Sequence, residues 1–261
     1  MMRGKVPQGV AVLLVAIVAA PAAFAQQVPF VLRGKTLALR LAGPASGPPA
    51  IVASGDGGWI HLGPHVSEAL ARAGYHVVGL DSRQYLSAFT VGRRGLSPEE
   101  VAQDFRTLAD YASRPGGARP VLIGVSEGAG LAVLAASSPA THGLVSGVVA
   151  LGLPDRNELA WRWTDGVIYV TKGVPDEPLF SVAAVIGRVA PIPLAAIHAT
   201  GDEFVPVPEI QRLMGRAAEP RRLWIVTATD HRFSSNEREF DARLADALAW
   251  IKDNAPRPGP Q

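Results

Sequence analysis

The 261-residue chain contains no cysteine. That absence excludes a thiol nucleophile, a thiolate metal site and a disulfide framework. A domain of this length buries enough core to stand without disulfides. An excess of charge is also missing once the first 25 residues are set aside. They carry Arg3 and Lys5 and no acid, which leaves 23 Lys+Arg against 23 Asp+Glu. A neutral remainder gives no electrostatic basis for binding nucleic acid and no polybasic membrane patch. No H-E-x-x-H or comparable spacing is present, so no metal is implied, and no cofactor either. There is no internal repeat.

What the leader does have is a positive start, an apolar run from Val10 to Ala20, and Ala23-Phe24-Ala25 before Gln26. This is the layout of a cleaved secretory signal peptide over residues 1–25. The apolar run covers 11 residues, while a membrane span needs about 20. The expected location is the periplasm or outside the cell. One folded domain is expected over residues 26–255, and residues 256–261, rich in proline, read as a flexible tail.

Short β-branched runs alternate with helical patterns, which predicts an α/β fold with a mostly parallel sheet. Val28–Leu32 and Thr36–Leu41 form a hairpin around Gly34-Lys35. The following strands are Pro49–Ser54, His76–Leu80, Pro120–Val125, Val145–Leu151, Pro193–Ala199 and Arg222–Thr227. Pro120–Val125 has no polar residue and belongs at the sheet centre, covered on both faces. Helices are predicted over Leu62–Ala73, from Pro98 to Ala112 behind a Ser97 cap, over Glu127–Ser137 and over Phe240–Asn254. The stretch 154–192 contains Trp161, Trp163 and Phe180 and has no strand–helix rhythm. Connections this long are usually functional, and this one reads as a cap lining a substrate pocket.

Gly124-Val125-Ser126-Glu127-Gly128 is a G-x-S-x-G sequence between a buried strand and a helix. That is the setting of a nucleophile elbow, with Ser126 in a strained turn between small neighbours. A serine needs a base, and the base needs an orienting acid. In the α/β-hydrolase fold the acid and then the histidine follow in chain order. Asp202 lies just past a predicted strand, with Glu203 as the competing acid. His231 follows the last strand, whereas His198 sits in an apolar run and reads as a packed strand residue. Oxyanion donors are expected from the backbone N–H of Glu127 and from Asp56 or Gly57 in the glycine-rich loop after the first parallel strand. Asp81 and Asp56 read as polar lining or as structural residues.

Ser54-Gly55-Asp56-Gly57-Gly58-Trp59, Val77–Tyr85, Leu96–Asp104 and Val121–Gly130 resemble the bacterial virulence proteins VirJ and AcvB over roughly Ala50 to Ala136. The resemblance implies a periplasmic hydrolase. In the AcvB group it implies removal of the aminoacyl group from lysyl-phosphatidylglycerol, a lipid ester that entails transient contact with a membrane surface. The VirJ name also implies a rival role, an accessory protein of a secretion system that works by contact, with or without catalysis. Two departures stand out. Glu127 replaces the expected aromatic, which makes its carboxylate a candidate for a substrate ammonium. The cap does not match.

Overall fold

The computed structural model describes residues 26–113, 117–162 and 178–256. The leader, Trp163 and the tail beyond 256 lie outside them. The two opening strands, β1 (Gln26–Leu32) and β2 (Lys35–Ala42), pair antiparallel with Leu32 opposite Lys35. The two-residue turn is Arg33-Gly34, both at positive φ (45° and 76°), as a twisted hairpin requires. The turn thus sits one residue earlier than Gly34-Lys35. Arg33 holds its unfavourable φ through a two-pronged bond to Asp104 at 2.8 Å and a third to Glu100 at 2.8 Å.

The remaining strands are β3 (Pro49–Ala53), β4 (His76–Leu80), β5 (Val121–Val125), β6 (Gly147–Leu151), β7 (Arg156–Glu158), β8 (Leu179–Ser181), β9 (Leu194–Ala199) and β10 (Arg221–Val226). Among the described residues the main sheet runs β1-β2-β4-β3-β5-β6-β9-β10, parallel from β4 onward. The five residues of β5 are all buried. Leu122 faces one hydrophobic layer, and Val121, Ile123 and Val125 face the other. Period-two alternation with apolar residues on both sides is what a central parallel strand needs.

The helices are α1 (Leu62–Arg72), α2 (Ser82–Phe89), α3 (Pro98–Ala112), α4 (Glu127–Ala136), α5 (Val182–Val185), α6 (Val207–Arg216) and α7 (Glu237–Asn254). Helices α3 and α4 cover one face of the sheet, and α1 and α7 the other. The Ser97 cap is a full capping box: Ser97 Oγ accepts Glu100 N–H, and Glu100 returns the bond to Ser97 N–H. Such reciprocal bonds satisfy two amides that the helix cannot.

The predicted cap is narrower than 154–192. Its described edges are β7 and β8, which pair antiparallel with Asn157 opposite Phe180. From Val182 onward the chain belongs to the core. Val182, Val185, Ile186, Val189 and Ile192 are all buried beside α4 and α6. No helix among the described residues is long and apolar enough to cross a membrane.

Candidate active site

The site forms at the carboxyl ends of β3, β5, β6, β9 and β10, the edge at which open α/β sheets place ligands. Ser126 follows β5 directly and takes φ 51° and ψ −115° before α4 begins. A non-glycine residue in such a region costs on the order of 1–3 kcal/mol and persists only where its surroundings hold it. They do here, because Ser126 N–H donates to Leu151 O at 2.8 Å. The flanking glycines are sterically required. A Cβ on Gly124 would lie 2.2 Å from Gly128 O, and one on Gly128 would lie 2.4 Å from Ala53 O and Ser54 O. With strand and helix this close, the serine is pushed out at the tip, where it is only half-buried.

Asp202 and His231 come together from the ends of β9 and β10. His231 Nδ1 donates to Asp202 Oδ2 at 2.6 Å. The other oxygen of Asp202 accepts the N–H groups of Phe204 and Val205 at 3.0 and 2.9 Å. Burial opposes the charge on Asp202. The His231 bond and charge, with the two amides, outweigh it and hold the carboxyl below its ordinary value. Glu203 does not reach the ring. Its Oε2 accepts the backbone N–H of His231 at 2.8 Å.

Because Nδ1 carries the proton toward Asp202, a neutral ring presents its Nε2 lone pair. That nitrogen is buried and has no hydrogen-bond partner among the described residues. The ring lies against Gly152, where an added Cβ would meet Cε1 (2.3 Å), Nδ1 (2.8 Å) and Nε2 (3.1 Å). Gly152 directly follows Leu151, whose carbonyl holds Ser126, so the base and the serine flank the same two residues. Gly152 had no place in the sequence reading. A glycine straight after a central buried strand is the signal that marks it.

His198 is fully buried on β9, as a packed strand residue. Its Nε2 also stands 3.8 Å from Asp202 Oδ2, the same oxygen that His231 Nδ1 bonds. Its Nε2 donates to Val205 O at 2.8 Å, and burial lowers its pKa.

The glycine-rich loop approaches Ser126 through Gly55, where a Cβ would stand 3.5 Å from Ser126 Cβ. Gly57 N–H is already used by the Asp56 side chain at 2.9 Å. No intramolecular acceptor takes Asp56 N–H among the described residues. Of the two loop candidates, Asp56 is therefore the one with an amide to offer. Glu127 N–H opens α4, which provides it no intrahelical acceptor. The Glu127 carboxylate is buried and accepts Glu158 N–H from β7. It anchors the cap edge, and this replaces the expectation that it stands open to a substrate ammonium.

Trp161 and Phe180 are partly buried and pack on the core. Trp161 N–H donates to Thr90 Oγ1 at 2.9 Å. Asp81 is structural: it caps α2 through Gln84 N–H and accepts Trp59 N–H. A polar cleft of about 530 Å³ lies beside the base loop, lined by His61, His65, Glu203, Asp230 and Arg232 among others. Neither Ser126 nor His231 lines it, so it adjoins these two residues without containing either. No group of three metal-ligating side chains occurs among the described residues.

Comparison with known proteins agrees with this architecture. Residues 49–158 match the family model of the bacterial virulence protein VirJ. No curated protein matches the chain. Among solved structures, the Pyrococcus furiosus esterase Pf2001 is 21% identical with a TM-score of 0.64, covering 87% of this chain and 90% of that one. A membrane phospholipase A described as a bacterial virulence factor is 13% identical, TM-score 0.64, covering 87% of each chain. Est1E from Butyrivibrio proteoclasticus is 14% identical, TM-score 0.61, covering 85% of this chain and 99% of its own. These likenesses establish the α/β-hydrolase fold.

Proposed function

We propose that this chain is an exported serine hydrolase that cleaves a carboxylic ester through an acyl-enzyme. The observation that carries the reading is the pairing of two facts. His231 Nδ1 donates to Asp202, and the opposite nitrogen of the same ring has no hydrogen-bond partner among the described residues, while Ser126 stands in a strained turn straight after β5. A triad needs that polarity, since the base must receive the serine proton on Nε2 while the acid stabilises the charge that forms.

Ser126 Oγ attacks the ester carbonyl as His231 Nε2 takes its proton. The N–H groups of Glu127 and Asp56 stabilise the oxyanion. His231 returns the proton to the leaving alcohol. Water then adds to the acyl carbon while giving a proton to the same nitrogen, which passes it to Ser126 Oγ as the acid leaves. The carboxylate of Asp202 keeps the imidazolium favourable throughout. Residues 1–25 direct export to the periplasm. Trp161 and Phe180, at the described edges of the cap, are the candidates for an apolar wall to the pocket, and Trp163 lies outside the described residues. The VirJ and AcvB resemblance supports an aminoacyl-phospholipid such as lysyl-phosphatidylglycerol as substrate.

The test is a hydrolysis screen of the mature protein on ester lipids and soluble short-chain esters. Turnover of at least one carboxylic ester that disappears in Ser126→Ala is expected. Absence of turnover across the screen contradicts the reading.

A further inference from the structure

The rim of the glycine-rich loop opposite Ser126 carries a cation that the mechanism leaves unused. Arg83 lies in the first turn of α2, directly after β4, and is exposed. Its Nε stands 3.4 Å from the position a Cβ would take on Gly58. Gly58 N–H in turn donates to Gly55 O at 3.0 Å, and Gly55 is the residue that approaches Ser126. One turn of loop therefore separates the guanidinium from the nucleophile. On its other side the guanidinium carbon lies 5.3 Å from the ring centre of Trp161, at the edge of the cap. Trp161 is tied to the far end of the same helix through Thr90. Arg83 thus lies between the glycine-rich loop and Trp161 at the described edge of the cap.

Its charge is not consumed locally. No ion pair or side-chain hydrogen bond to Arg83 occurs among the described residues. The nearby acid is Asp81. Its carboxylate already accepts Trp59 N–H at 3.2 Å and Gln84 N–H at 3.1 Å, and lies 3.6 Å from Arg40. Arg40 and Arg83 both lie near that carboxylate, and of the two only Arg40 comes within ion-pair distance of it. A guanidinium stacked on an indole keeps its donor fork in one plane, suited to a carboxylate or a phosphate.

We propose that Arg83 is a specificity-determining residue that binds an anionic group on the ester substrate, either a carboxylate on the acyl portion or a phosphate on the alcohol portion. The inference rests on the ester-hydrolase reading. Gly58 matters to it as well, because a side chain there would press on both Arg83 and Asp81.

The experiment compares two matched substrate pairs with the mature protein. In the first, 4-nitrophenyl hemisuccinate is set against 4-nitrophenyl butyrate. In the second, 1-hexanoylglycerol 3-phosphate is set against 1-hexanoylglycerol. The readout is the ratio of kcat/KM for the anionic over the neutral member. Arg83→Gln is expected to lower that ratio at least about tenfold in one pair, mainly through KM, and the responding pair identifies which portion carries the anion. Arg83→Lys is expected to recover part of it, having the charge without the planar fork. Wild-type preference is expected to shrink as ionic strength rises, a reading that needs no variant. A ratio unchanged by Arg83→Gln in both pairs, with salt-independent preference, overturns the anion site while leaving the hydrolase intact. If no ester is turned over, calorimetric binding of the same pairs to Ser126→Ala reads the contact alone. Anion-selective binding lost in Arg83→Gln then upholds the site and rejects only the hydrolase reading, and equal binding of both members rejects the site.

Discussion

Glu203 Oε2 accepts the backbone N–H of His231 at 2.8 Å. Consecutive carboxylates therefore grip one histidine at two points, with Asp202 on the ring and Glu203 on the main chain. They differ in environment, since Asp202 is buried and Glu203 is exposed.

That difference predicts unequal losses. Asp202→Asn leaves the shape but misdirects the ring proton, and is expected to lower kcat by about 10⁴-fold, as for other triads. Glu203→Gln keeps an acceptor for His231 N–H and loses only the charge. Hydrogen bonds to charged groups contribute about 1.5–3 kcal/mol, and this exposed one belongs at the low end, so a loss of no more than about tenfold is expected. Steady-state kinetics on one activated ester, with melting curves for both variants, separate the cases. A larger loss in Glu203→Gln than in Asp202→Asn contradicts the arrangement.

Gly152 supports the base by being small. An alanine there would place its Cβ 2.3 Å from His231 Cε1, and the residue's φ of 58° already disfavours a side chain. Gly152→Ala is expected to displace the ring and lower kcat by about 10²-fold, the scale set by misplacing a catalytic group by about 1 Å. The His231 side-chain resonances should shift with it. Full activity in this variant contradicts the placement of the ring.

His198 links stability to pH. Burial holds its folded pKa below the ordinary imidazole value of 6.5, so the neutral form is favoured in the native state. As pH falls through about 6.5 the unfolded chain takes up a proton that the folded chain refuses. Stability present above that pH is then lost progressively, until the folded pKa is reached. Asp202 acts in the same direction at lower pH. Its folded pKa is depressed, so its contribution is present above about 3.8 and is lost as pH falls through the folded value. The melting temperature of the wild type should therefore fall between about pH 7 and pH 5 by more than that of His198→Asn, which cannot titrate there. Parallel curves contradict the contribution of His198.

Much of this architecture was legible in the sequence, and the misses have physical causes. β3, β4, β5, β6 and β9 stand within two residues of the expected ranges, because each is an apolar run closed by Gly, Pro or a polar residue. Helix α2 has no counterpart among the expected helices: it starts at Ser82 only one residue after β4, and its capping residue Asp81 reads equally as polar lining or as a structural residue. Helix α6 was passed over behind Pro206 and Pro208, although Ile210, Leu213 and Met214 carry a helical stripe. The last helix begins at Glu237, three residues before Phe240, because Asn236 caps it there. At the candidate site, motif and chain order point to Ser126, Asp202 and His231, and the structure places Ser126 in a strained turn and brings Asp202 and His231 together. The division of labour between Asp202 and Glu203 could not be read from the sequence, since adjacent residues differ only in where their side chains point. The supporting contacts of Gly152 and His198 depend on β6 and β9 lying side by side, which chain order does not state.

The central claim is that Ser126 is a nucleophile activated by His231. The direct measurement is covalent labelling of the mature protein by a fluorophosphonate, followed by mass spectrometry of the modified peptide. One label per chain on Ser126 is expected, abolished in Ser126→Ala and strongly slowed in a His231→Gln variant that keeps its fold. Undiminished labelling of Ser126→Ala, or none of the wild type, would contradict the account.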